Sequence, residues 1–143
     1  MKNLIENWLK QYNITNYTIN DKGEVDVDGD VILVNNHLKK LPNYIKFGVV
    51  NGNFCCNYNN LTSLKGAPKE VKGDFDCSVN NLKTLKGAPK KVGGGFDCSE
   101  NNLIDLKGAP EEVGWNFDCK YNTTQFTKSD VNNVCKVIYN IYV

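Results

Sequence analysis

The chain has 143 residues, with 17 Lys+Arg against 16 Asp+Glu and 41% hydrophobic residues. That is the size of one ordinary domain, and the balanced charge excludes a bulk field that would recruit nucleic acid or an anionic membrane. No apolar run approaches the roughly 18 residues a membrane span needs. Polar residues interrupt the N-terminus too early for a signal-peptide core, so a soluble, cytoplasmic protein is expected.

In chain order, Leu4, Ile5, Trp8, Leu9 and Tyr12 form one apolar stripe, predicting an amphipathic helix over residues 1 to about 13. Alternation through Ile14, Tyr17 and Ile19 predicts a strand, followed by a turn at Asp21-Lys22-Gly23. Val25, Val27, Val31 and Leu33 alternate with Asp26, Asp28 and Asp30, which predicts a hairpin turning at Asp28-Gly29.

The middle of the chain then repeats itself. Phe54, Phe75, Phe96 and Phe117 recur with a period of 21, as do Cys56, Cys77, Cys98 and Cys119, and Asn59, Asn80, Asn101 and Asn122. A fixed period in the range of 20 to about 50 residues marks a stacked-repeat architecture. Val31 to Leu41 aligns with Phe54 to Leu64 as a degenerate first copy, with Asn36 in the asparagine slot. Phe and Cys two apart predict a short strand with both side chains on one face. Lys86-Gly87-Ala88-Pro89 excludes a helix on the way back, so the return is expected to be extended or polyproline-like.

After Asn122 the pattern fails at Thr124 and Thr127. Thr127 with Asp130 predicts a helix start and a short helix over 129–135, and Val137 to Val143 is β-prone and predicts one final strand. The expected architecture is one domain, 1–143: an N-terminal cap to residue 30, repeats over 31–122 in four to five coils, and a helix-strand C-terminal cap over 123–143.

The repeat resembles the leucine-rich repeat, with Phe75 and Cys77 in strand positions, Asn80 as the asparagine, and Leu82 and Leu85 closing the motif. Its short length with Pro after the closing leucine resembles the subclass of bacterial secreted effectors. The wording of Leu64-Lys65-Gly66-Ala67-Pro68 and Phe96-Asp97-Cys98-Ser99 is similar to uncharacterised repeat proteins of large tailed bacteriophages. The resemblance implies a leucine-rich-repeat solenoid, mainly β, that binds partners through a concave strand face. It carries no established activity.

The six cysteines could mark a secreted disulfide scaffold. Four of them share one repeat position, so reduced, buried thiols are expected instead. A line of four sulfurs spanning roughly 14 Å at strand spacing cannot close around one ion that needs them all at about 2.3 Å. Cys55 points to the opposite strand face and is expected to be an exposed thiol, and Cys135 to be packed. The asparagine ladder is expected to bond backbone at a tight bend. With a single histidine, His37, no Ser-His-Asp or His-rich metal constellation can be built; no cofactor or metal is expected.

What the spine leaves over is the residue between Phe and Cys: Asp76, Asp97 and Asp118, three carboxylates stacked at roughly 5 Å, where like charges repel. Asp74 and Asn116 flank this column on one side, Ser78, Ser99 and Lys120 on the other, and Tyr58, Glu100 and Tyr121 border it. These residues are the candidate partner-binding site, with the tyrosines as anchors; solvated side chains on an open sheet are the bland alternative. The expected function is a non-enzymatic protein-binding module, and the phage resemblance implies a bacterial host protein as partner, such as a defence or regulatory protein. One alternative is a self-assembling or virion-associated structural protein, favoured if Val137 to Val143 forms an exposed edge. The other is nucleic-acid or nucleotide binding through Lys65, Lys86 and Lys107.

Overall fold

The computed structural model describes residues 1–143. It is a mainly β, parallel solenoid of about six turns with two helices. Each turn contributes one strand to each of two sheets. A seven-stranded sheet holds β1 (Tyr17–Ile19), β2 (Glu24–Val27), β4 (Lys46–Val50), β6 (Glu70–Val71), β8 (Lys91–Val92), β10 (Glu112–Val113) and β12 (Lys136–Val137). A six-stranded sheet holds β3 (Val31–Ile32), β5 (Phe54–Cys55), β7 (Phe75–Asp76), β9 (Phe96–Asp97), β11 (Phe117–Asp118) and β13 (Ile141–Tyr142). Apart from β1, which lies antiparallel to β2, neighbours pair in parallel.

The return path is therefore more regular than expected. Val71, Val92 and Val113 are fully buried and aligned, so each return segment, expected to be extended or polyproline-like, includes a rung of its own sheet. The hairpin expected at Asp28-Gly29 does not form. Val25 and Val27 pair with Ile19 and Tyr17, and the turn lies between β1 and β2; β3 pairs with β5 in the other sheet. Asp28-Gly29-Asp30 is a corner of the first turn, where Asp30 Oδ1 accepts the Asn53 N–H of the next turn at 2.7 Å.

Between the sheets runs one core. Phe54, Phe75, Phe96 and Phe117 stack with centroids 5.4, 5.5 and 5.2 Å apart, and Cys56, Cys77, Cys98 and Cys119 are buried beside them. Helix α1 (Lys2–Gln11) buries Ile5, Trp8 and Leu9 at the N-terminal end, Trp8 meeting Phe47 edge-on at 6.1 Å. Helix α2 (Lys128–Asn132) begins at Thr127: its Oγ1 accepts the Asp130 N–H, and Asp130 Oδ2 accepts the Thr127 N–H. After it the chain forms two strands, β12 and β13, one in each sheet, where a single final strand was expected. Coil geometry thus continues past the repeated sequence, because Phe126, Val131 and Cys135 keep filling the core where the motif letters have changed.

A backbone position also repeats. Asn35, Tyr58, Val79, Glu100 and Tyr121 have φ of 55°, 54°, 53°, 51° and 58°, a left-handed conformation that strains any residue with a Cβ. Each lies one residue before a ladder asparagine, whose side chain then spans two turns. Asn80 Oδ1 accepts the Leu61 N–H at 2.9 Å, while its Nδ2 donates to the Cys56 and Cys77 carbonyls at 3.0 and 3.1 Å. Asn101 repeats this on Leu82, Cys77 and Cys98. Asn36, in the first turn, has no preceding turn to bond, and its Nδ2 donates only to the Val34 carbonyl.

Candidate partner-binding face

The outer face of the six-stranded sheet is set by the two-residue strands. With Phe and Cys locked inward, the residue between them must point outward, which aligns Cys55, Asp76, Asp97, Asp118 and Tyr142 in register. Asp76 Oδ1 accepts both the Ser78 N–H at 2.9 Å and its Oγ–H at 2.6 Å. Asp97 does the same with Ser99, and Asp118 accepts the Lys120 N–H at 3.0 Å, with Lys120 Nζ 3.7 Å from its other oxygen. One oxygen of each carboxylate is thereby used within its own turn, so the aspartates are held in position.

Burial raises the Asp76 carboxyl above the ordinary carboxylate range; the Ser78 hydrogen bonds oppose this, and the charges of Asp97 and Asp74 add to it. Burial likewise raises Asp118, with Asp97 adding to the shift and Lys120 opposing it. The column therefore holds charge at a penalty.

The opposite sheet, built from the same coil, solves the same problem. Its outward column runs Glu70, Lys91, Glu112, Lys136 in direct register, alternating in sign at every step. Lys72 adds an ion pair to Glu70 at 3.0 Å, and Lys69 pairs with Glu24. One face of the solenoid is electrostatically self-satisfied. The other stacks one sign.

The remaining predicted site residues divide into exposed and enclosed. Tyr58, Glu100 and Tyr121 are exposed, and Tyr58 and Tyr121 are 57% and 75% accessible. Ser78 and Ser99 flank the column as expected but are buried, their hydroxyls donating to Asp76 and Asp97. Asp74 turns one oxygen to the Gly95 N–H at 2.7 Å, and Asn116 accepts the Asn140 N–H at 3.2 Å; both fasten successive corners. Lys65, Lys86 and Lys107 are exposed on the return side, away from this face.

Two aromatic residues were missed. Trp115 and Tyr142 join Asp74, Asp76, Asp97 and Asp118 around a shallow depression of about 270 Å³. Trp115 is half-exposed and stacks on Tyr139 at 4.1 Å with rings 9° apart. The signal was readable: Trp115 occupies the slot held by Gly52, Gly73 and Gly94, the largest departure from the repeat. Lys120 Nζ sits 5.5 Å from the Tyr142 ring centroid, so this aromatic wall already accommodates a cation.

Cys55 is half-buried, contrary to the exposed thiol expected. Burial first, then Asp76, Asp30 and Asp74, push its thiol up to about 11. The inward cysteines are all free; burial raises Cys77 and Cys98 well above the ordinary range and Cys119 to about 12. Cys77 and Cys98 Sγ donate weakly to the Asp97 and Asp118 carbonyls at 3.3 and 3.4 Å. Neither a model of a known family, nor a curated protein, nor a solved structure matches the chain.

Proposed function

We propose that this protein is a non-enzymatic protein-binding module that receives a basic surface on its Asp76, Asp97 and Asp118 column. The observation that supports it is the contrast between the two outer faces. The same coil alternates Glu and Lys on one sheet and stacks aspartate on the other, although each adjacent like pair at strand spacing costs about 1 kcal/mol even in water. A partner presenting Arg or Lys would relieve that penalty on binding, and Trp115 and Tyr142 add faces on which a guanidinium can stack. Thiols held protonated, as at Cys55 and Cys119, are poor nucleophiles, which supports a binding role over a thiol-based reaction. The leucine-rich-repeat likeness supports use of the strand face. The likeness of the repeat wording to phage proteins supports a bacterial host protein as partner, met in the host cytoplasm and inhibited by being bound.

The test is capture from bacterial lysate by the immobilised chain and by the triple variant Asp76→Asn, Asp97→Asn, Asp118→Asn. Asparagine keeps the oxygen that accepts from Ser78, Ser99 and Lys120, so the variant retains the local geometry. Proteins held by the original chain are expected to be lost with the variant and in high salt. Retention of the same proteins by both would sink the proposal.

A further inference from the structure

The two ends of the stack differ. At the N-terminal end β1 extends the seven-stranded sheet by one antiparallel strand beyond β2, while the six-stranded sheet stops at β3. At the C-terminal end β12 and β13 are both outermost, one in each sheet, in the same turn.

Their free groups follow from the alternation of a parallel ladder. Phe117 N–H donates to the Asn140 carbonyl at 2.9 Å and Cys119 N–H to the Tyr142 carbonyl at 3.0 Å. Asn140 and Tyr142 therefore face back into the stack, and the amides of Ile141 and Val143 face away from it. Lys136 and Ile138 donate to the Glu111 and Val113 carbonyls at 2.9 and 3.0 Å, which turns the amide of Val137 outward. No charged residue occurs from Val137 to Val143. Ile138, Tyr139, Tyr142 and Val143 are 52%, 58%, 41% and 40% exposed. Apart from Lys136 on β12, the two free edges carry no charged side chain, and such edges are templates for further pairing.

We infer that this end is a homodimer interface on which a second copy of the chain docks about a two-fold axis, β13 against β13 and β12 against β12. An axis lying in the end plane and crossing both sheets reverses strand direction in both at once, so each edge meets its own counterpart antiparallel. A foreign extended peptide would satisfy one edge only; a second copy presents both at the matching separation. Centred on Tyr142, the pairing sets Ile141 of each copy opposite Val143 of the other. Centred on Val137, it sets Lys136 opposite Ile138, which avoids a direct like-charge pair across the axis. The stepped N-terminal end offers no such flat pair of edges, so association closes at two copies instead of growing into a filament. This inference does not rest on the aspartate column, although Tyr142, next to Asp118 in register, belongs to both surfaces.

Sedimentation and light scattering of the 143-residue chain over a dilution series test it. The expected result is a dimer that dissociates on dilution. Tyr142→Lys, which sets two ammonium groups near the axis at an exposed position, is expected to weaken dimerisation by about tenfold or more with an unchanged circular dichroism spectrum. Should that variant unfold, Val143→Pro removes one outward N–H and carries the same expectation. Ile32→Lys, exposed on β3 at the opposite end, is expected to leave the dimer intact. A monomer at every concentration, a mass that climbs past the dimer, a dimer indifferent to the folded end variants, or dissociation by Ile32→Lys would each overturn the inference.

Discussion

Gly95 interrupts a column that is otherwise built to carry hydrogen bonds between corners. Asp30, Asn53 and Asp74 each accept the corner N–H one turn ahead, at 2.7, 2.8 and 2.7 Å, but Gly95 has no side chain to offer Asn116. Its backbone is outside the left-handed region, and an added Cβ would meet only ordinary contacts at 3.5 and 3.6 Å. Gly95→Asn is expected to stabilise the fold by about 1 kcal/mol, from one new hydrogen bond and a less flexible unfolded chain, read as a higher midpoint in urea. Asp97 is the opposite case, a residue that works against stability. It lies between two carboxylates that are both pushed up, and asparagine can still accept from Ser99. Asp97→Asn is expected to gain about 1 kcal/mol at neutral pH and low salt, and less in high salt. The sign with pH follows from the raised folded-state values of Asp76 and Asp118. The folded chain binds these protons more readily than the unfolded one, so their destabilisation is present above the folded values and relieved as pH falls toward the ordinary carboxylate range. The gain from Asp97→Asn should therefore shrink on acidification, which chemical melts across that range would check.

At the scale of one coil, the asparagine rung joins a turn to its predecessor. Asn101 is 6% exposed, accepts the Leu82 N–H and donates to the Cys77, Cys98 and Ser99 carbonyls. Asn101→Ala leaves the buried Leu82 N–H without a partner and takes one of two donors from each of those carbonyls, and is expected to cost about 3 kcal/mol, measured by thermal or chemical denaturation. This rung was legible, because an amide recurring at one period where a chain bends has backbone to satisfy. The six-stranded sheet was legible too, from Phe and Cys two apart. The second sheet was not: each of its strands in the regular repeats turns one residue inward, Val71, Val92 or Val113, and a single buried residue has no period. Asp28-Gly29 misled for a different reason. Two alternating segments around an Asp-Gly look the same whether they pair with each other or each pairs up the stack, and only the six turns settle which. At the site, the aspartate column was legible but its contrast was not. Glu70, Lys91 and Glu112 recur at the same period as the aspartates, yet without a second sheet nothing made them a column.

For the whole molecule, every turn leans on its two neighbours, so stability is approximately a sum of coil and interface contributions. Removing residues 75–95 joins Asp74 to Phe96, two positions that follow each other in every regular repeat, and restores the Phe stack and asparagine rung across the junction. The shortened chain is expected to fold with the same circular dichroism profile and to melt lower by several degrees. An unfolded product would contradict nearest-neighbour stacking.

The aspartate column also has a pitch. Its three carboxylates repeat at strand spacing, about 4.8 Å, along the axis of the stack. Side chains that recur once per turn of an α-helix, about 5.4 Å, drift from such a column by only about 1 Å over its length. Alternate side chains of an extended strand, about 6.8 Å apart, fall out of step by about 4 Å. A helix with a basic stripe, laid along the solenoid axis, can keep all three rungs engaged, and an extended peptide in the same orientation cannot. Under the proposed function, the pitch of the column would select partners by secondary structure before any individual contact discriminates among them.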